Sequence, residues 1–189
     1  MMTKADIIEI GKRIYEKNYT AAHDGNISFY DGKTVFITPS GVSKGFMSED
    51  GISELTIDGR VLNGAVPSSE YKMHLAVYKN NPSVHAVVHT HPVYATTFAC
   101  MGKPLKSEVL AEAVFQLGDI PLAEYGEPGT EKAAQSIVPY CVDYNGVLLE
   151  KHGLVTWGNT LNEAWFRTEI AEFLAKITFN INVGRSLSE

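Results

Sequence analysis

Apolar positions along the chain switch between a helical and a strand period, and the switches predict the elements. From Thr3 to Asn18, Ile7, Ile10, Ile14 and Tyr15 form one helical face, and Thr3 stands where it can cap the helix. Thr34-Val35-Phe36-Ile37-Thr38 is rich in β-branched residues and reads as a strand. Leu55-Thr56-Ile57 and Arg60-Val61-Leu62 flank Asp58-Gly59, the pattern of a hairpin. Ser68 to Lys79 reads as a helix with Tyr71, Leu75 and Tyr78 on one stripe, ended by Asn81-Pro82. Val84 to Thr90 is a strand, and Pro92 suits the first turn of a following helix. Thr130 to Val138 is another helix, and Val147 to Trp157 is a hairpin or strand pair around Lys151-His152-Gly153. Thr160 opens the last helix with Glu163 as a capping box, and Ala164, Ile170, Phe173, Leu174 and Ile177 form its buried face. Strands and helices interleave, and at least two strand pairs read as antiparallel. The architecture is therefore an α/β or α+β sheet covered by helices.

Composition narrows the class. The chain has 189 residues, is 44% hydrophobic and carries a formal charge of -6, which suits one domain spanning 1–189 with a substantial core. No Lys/Arg-rich block occurs, so neither nucleic acid nor an anionic membrane is indicated as a partner. No apolar run approaches the roughly 20 residues that span a bilayer, and the N-terminus lacks an apolar signal region. Cys100 and Cys141 are the only cysteines, so a reducing cytoplasm is the expected location.

The candidate chemistry lies in three histidines and a glutamate. His89 and His91 are two apart in an apolar run, and strand residues i and i+2 share a face. His152 lies between two further apolar runs, and Glu70 precedes the helical stripe of Tyr71. Three imidazoles and a carboxylate can make a four-ligand site for a divalent metal, with zinc the first expectation. Sixty-one positions separate His91 from His152, so only the fold can bring them together. A lone histidine is ordinarily a core or surface residue, and His23, His74 and His85 are read that way. The polar loops Gly25-Asn26-Ile27-Ser28, Thr38-Pro39-Ser40-Gly41 and Pro67-Ser68-Ser69-Glu70 are each ordinary turn sequences. Together they suggest an anion cradle, with Ser68 and Ser69 opening a helix whose free N–H groups favour phosphate. Glu70 in the first helical turn has a plain role against the helix dipole and a sharper one as a carboxylate beside the metal.

Gly25-Asn26-Ile27-Ser28, Ile37-Thr38-Pro39-Ser40-Gly41, Pro67-Ser68-Ser69-Glu70, Val87-Val88-His89-Thr90-His91 and Lys151-His152-Gly153 occur in this order. In that order they resemble the class II aldolase/adducin family, and within it the sugar-phosphate aldolases that act on L-fuculose 1-phosphate. The resemblance implies a three-layer α/β/α sandwich around a mainly antiparallel sheet, assembled as a C4 homotetramer with active sites at subunit interfaces. It implies zinc (cobalt or manganese being the alternatives) held by His89, His91 and His152, with Glu70 as fourth ligand and then as acid/base. It assigns the phosphate to Asn26, Ser40, Gly41, Ser68 and Ser69. The implied reaction cleaves a ketose 1-phosphate to dihydroxyacetone phosphate and an aldehyde. L-ribulose-5-phosphate 4-epimerase and sugar-phosphate dehydratase or decarboxylase are the alternatives, and an adducin-like module without metal ligands is the non-enzymatic one.

The chain also departs from that pattern. His23-Asp24 stands where the family has Gly-Thr, and Ser107 to Gln116 lacks the tyrosine that handles the aldehyde oxygen. The chain also stops soon after its last helix, so the aldehyde-covering tail is expected to be missing. Glu108, Glu112, Tyr125 and Tyr140 are the candidates to replace the lost acid.

Overall fold

The structure is a computed structural model that describes residues 2–188. Its elements in chain order begin with helix α1 (Lys4–Glu16) and strands β1 (Asn26–Tyr30), β2 (Val35–Ile37), β3 (Ser53–Leu55) and β4 (Val61–Asn63). Helix α2 (Tyr71–Asn80), strand β5 (Ala86–Thr90) and helices α3 (Val93–Cys100) and α4 (Ala111–Gln116) follow. Strand β6 (Leu122–Ala123), helix α5 (Glu131–Ser136), strands β7 (Gly146–Leu149) and β8 (Gly153–Gly158), and helix α6 (Leu161–Ser186) complete it.

The strands form one eight-stranded sheet in the order β4-β3-β2-β1-β5-β8-β7-β6. Every neighbouring pair is antiparallel except β6 with β7. Alternation along the central strands divides the core between the two faces. Val87 of β5 and Val155 and Trp157 of β8 meet Met73, Leu75 and Val77 of α2 on one face. Ile27 and Phe29 of β1 and Ala86 and Val88 of β5 meet Ile7, Ile10 and Ile14 of α1 and Trp165 of α6 on the other. Helices α3, α4 and α6 cover the rest of that second face. The result is three layers, helix, sheet and helix.

Four boundaries and faces differ from the sequence reading, each for a physical reason. Gly25 to Ser28 is not a turn: Asn26 and Ser28 are the polar face of β1, whose Ile27 and Phe29 are buried on the opposite side. Helix α2 begins at Tyr71, so Ser68 and Ser69 precede it, and Glu70 is its N-cap rather than a first-turn residue. Tyr15 is 47% exposed and meets Phe46 edge-on with ring centroids 5.3 Å apart, because α1 buries only the Ile7, Ile10, Gly11 and Ile14 stripe. Phe173 is 56% exposed, since the stripe of α6 that faces the sheet runs through Leu161, Ala164, Thr168, Ala171 and Ala175. The α6 cap forms as read, although Glu163 returns its carboxylate to the Asn159 N–H rather than to Thr160.

Candidate metal centre and phosphate pocket

Antiparallel pairing of β5 with β8 sets the end of one strand beside the start of the other, with His89 opposite Val155 and Thr90 opposite Leu154. His89 and His91 share the face of Val87, and His152 sits in the tight turn between β7 and β8. Lys151 takes a φ of 58° in that turn, which carries His152 back over the end of β5. Gly153 is required there: a Cβ would stand 2.5 Å from Cδ2 of His91 and 2.6 Å from the Thr90 carbonyl oxygen. The ligand nitrogens of His89, His91 and His152 all lie within 4.8 Å of one another.

Glu70 closes the group. Its Oε2 is 3.3 Å from Nε2 of His89, and its Oε1 is 3.6 Å from Nε2 of His152. Nε2 of His91 stands 3.0 Å from Nε2 of His89. Two donors about 2.0–2.1 Å from a tetrahedral ion stand roughly 3.3 Å apart, so these separations suit a zinc-sized divalent ion. His89 Nδ1 donates to the Leu154 carbonyl at 3.0 Å, which directs its Nε2 toward the group. The Asp24 carboxylate stands 3.8 Å from Nδ1 of His91, beyond hydrogen-bond reach.

The electrostatics follow from burial and mutual charge. Burial alone would raise the Glu70 carboxyl, but the charge and hydrogen bond of His89 outweigh it, with His152 and Asn26 adding. The carboxyl is held well below the usual range and is ionised. Burial would lower His89, but Glu70 reverses this and raises it. Burial and the neighbouring charge of His89 push His91 down to about 3 and His152 down to about 4. Both are therefore neutral near pH 7, the state in which imidazole binds a metal.

A cleft of about 280 Å³ opens on this group. Asn26, Ser40, Gly41, Ser68, Ser69, Glu70, His91 and His152 line it, so seven of the residues expected from sequence and Glu70 stand on one wall or another. His89 is fully buried beneath. Backbone bonds join the loops: Ser40 N–H donates to Val66, and Ser68 N–H to Thr38. These bonds consume N–H groups that were expected to face an anion. Glu70 N–H also turns to Ser68 Oγ, at 3.4 Å. What the pocket offers an anion is therefore side-chain hydroxyl and amide, with the backbone of Gly41, rather than the first turn of a helix.

Sequence reasoning missed four contributors. His23, Asp24 and Pro128 line the cleft. Lys44 is 1% exposed, and its Nζ donates to the His23 carbonyl at 2.9 Å and the Val42 carbonyl at 2.7 Å, tying two of the pocket loops together. The only signal for Lys44 was its position three residues after Gly41. Among the candidates for the aldehyde side, Glu108 and Glu112 are not in the cleft. Tyr140, partly buried against the core, donates its hydroxyl to the Leu122 carbonyl and is not in the cleft. Tyr125 lies under Lys151, one residue from His152, with Lys151 Nζ 5.7 Å from its ring centroid. Lys72 pairs with Glu131 and Lys151 is near Glu150, so neither lysine enters the site.

Comparison with known proteins shows the family. The sequence pattern described as Class II Aldolase and Adducin N-terminal domain matches residues 5–179. An L-fuculose phosphate aldolase of Methanococcus maripaludis is 35% identical over 181 residues, covering 96% of this chain and 98% of that protein. A 3-oxo-tetronate 4-phosphate decarboxylase of Haemophilus influenzae is 33% identical, covering 93% of this chain and 86% of that protein. The solved structure of an L-fuculose 1-phosphate aldolase superposes with a TM-score of 0.90 at 31% identity, covering 99% of this chain and 88% of that one.

Proposed function

The chain belongs to the class II aldolase and adducin family and is a lyase of it, and from that premise we propose that it cleaves a ketose 1-phosphate of the L-fuculose 1-phosphate type. The products would be dihydroxyacetone phosphate and an aldehyde. One observation carries the reading: Glu70 faces two of three clustered imidazoles and bonds Asn26, in a cleft that Ser40, Ser68 and Ser69 also line. His89, His91 and His152, with Glu70, would hold a divalent ion, for which zinc is our assignment. When bound, that ion supplies Lewis-acid stabilisation of the negative charge that develops on the substrate oxygens.

The chain's own residues do the rest. Ser40, Gly41, Ser68, Ser69 and Asn26 hold the phosphate and so fix C3 and C4 of the sugar before bond cleavage. Cleavage of the C3–C4 bond takes a proton from the C4 hydroxyl and returns one to C3. Glu70 is the group placed to move the proton at C3, its carboxylate lying between the histidines and the cleft. The site is proposed to complete itself at the interface of a C4 homotetramer.

Decarboxylation is the second reading, and a specific observation favours it. The segment 107–116 carries no tyrosine, and loss of CO2 from a phosphorylated 3-oxo acid needs no acid at an aldehyde oxygen. It would develop the same kind of negative charge on the substrate oxygens, which a bound divalent ion would stabilise, and a relative bears that name. A panel of ketose 1-phosphates assayed for dihydroxyacetone phosphate, beside 3-oxo-tetronate 4-phosphate assayed for CO2, separates the two. Dihydroxyacetone phosphate released from a ketose 1-phosphate, with no CO2 from the 3-oxo acid, supports the aldolase. CO2 from the 3-oxo acid, with no ketose 1-phosphate cleaved, overturns it.

A further inference from the structure

The polar residues behind Glu70 form a ladder between β1 and α2. Asn26 and Ser28 are successive residues on one face of β1, and Glu70, His74 and Tyr78 lie four apart on one stripe leading into α2. Two strand residues advance about 6.7 Å and four helical residues about 6 Å, so the two series interleave. Asn26 Nδ2 donates to Glu70 Oε2 at 2.9 Å, and its Oδ1 faces His74 Nε2 at 2.5 Å. His74 Nδ1 faces Ser28 Oγ at 2.6 Å, and Ser28 Oγ faces the Tyr78 hydroxyl at 2.5 Å. Asn26, Ser28, His74 and Tyr78 are each at most 5% exposed, so water cannot repair a mismatched pair.

Building on the function proposed above, we infer that His74 is a positioning residue: it fixes the carboxamide of Asn26 so that its N–H groups face Glu70 and the phosphate pocket.

Only one arrangement of hydrogens satisfies the ladder. An ionised Glu70 accepts only, so Asn26 must present Nδ2 to it. That leaves Oδ1 toward the helix, where it needs a donor, so His74 must carry its hydrogen on Nε2. The ring is fully buried and its two nitrogens face an amide oxygen and a hydroxyl, with no carboxylate against it, so burial keeps it neutral. Its Nδ1 is then a lone pair and accepts the Ser28 hydroxyl, which in turn accepts from Tyr78. Burial raises the Tyr78 phenol well above its ordinary range, so it keeps the hydrogen it donates. The other tautomer of His74 sets two acceptors 2.5 Å apart at Asn26. A flipped Asn26 sets its oxygen against the Glu70 carboxylate and turns an acceptor toward substrate phosphate. Asn26 lines the cleft, so its second N–H is available to the anion only while His74 holds the amide.

The test pairs two variants of equal polarity. Glutamine at this position can place an amide N–H near the site of Nε2, whereas asparagine can reach only the neighbourhood of Nδ1. His74→Gln should bind inorganic phosphate within about threefold of the parent, and His74→Asn about tenfold or more weakly, the scale of one lost hydrogen bond to an ion. In turnover, the His74→Asn loss should fall mainly on KM. Affinities that fall equally in both variants would mean that His74 merely fills space, and parent-like affinity in both would mean that it positions nothing. Should neither variant fold, a histidine ¹⁵N spectrum of the parent decides: the inference requires the Nε2–H tautomer, and Nδ1–H overturns it. Phosphate affinity and tautomer are read without turnover, so an inactive parent would sink the proposed reaction and leave this inference standing or falling separately.

Discussion

Glu70 carries two roles in this account, ligand and proton shuttle, and a single substitution separates them. In Glu70→Gln an amide oxygen remains for the metal but no proton can be taken up. Metal content should stay near the parent value while kcat falls by about 10²–10⁴, the usual scale for one acid–base group. Near-parent turnover would contradict the shuttle. Lys44 tests the pocket loops in another way. Burial pushes its ammonium down to about 8, against 10.5 in the unfolded chain. Between those values the unfolded state binds more protons, so the folded state gains stability as pH rises from about 8. Urea unfolding at several pH values should show the parent gaining on Lys44→Met with a slope approaching ~1.4 kcal/mol per pH unit near pH 9. A difference that stays flat across that window would mean Lys44 is not a buried charge. At this scale the histidine pair was legible, because His-x-His in an apolar run has one face. His74 was read only as an ordinary core or surface histidine, although its spacing of four from Glu70 was in plain view. A fully buried histidine that bonds a strand neighbour looks, in sequence, like any core histidine.

Elements decide how tightly the ligands are held. The turn from β7 to β8 brings His152 over β5 only because Gly153 leaves space for His91 and the Thr90 carbonyl. Gly153→Ala should therefore displace His91 while the far-UV circular dichroism stays close to that of the parent. Metal affinity, measured by competition with a chelator, should fall about 10–100-fold, as when a group orienting a ligand is lost. Parent-like affinity would show that the strand ends yield without disturbing the ring. Both strands of this turn, and the stripe of α2, were readable from apolar periodicity. Strand β1 was not, since Asn26 and Ser28 made its polar face look like a turn. Their polarity is explained by what lies across from them, Glu70, His74 and Tyr78, and that pairing is tertiary. The same limit hid the true stripe of α6. Phe173 suited a helical period, but contact with the sheet selected small residues such as Ala164, Ala171 and Ala175 instead.

For the whole molecule, the fold brings the stretches 23–26, 39–41 and 68–70, with Pro128, His91 and His152, to one cleft. No helix among the described residues is long and apolar enough to cross a membrane. The central claim is that the three imidazoles hold one divalent ion on which cleavage of a phosphorylated sugar depends. The most direct measurement strips divalent ions from the parent and from His152→Ala, restores zinc, and follows bound metal and release of dihydroxyacetone phosphate from L-fuculose 1-phosphate together. The account predicts that the parent loses cleavage on stripping and regains it as about one ion per chain returns, while His152→Ala regains neither. Undiminished cleavage by the stripped parent, or a full complement of metal in His152→Ala, would contradict it.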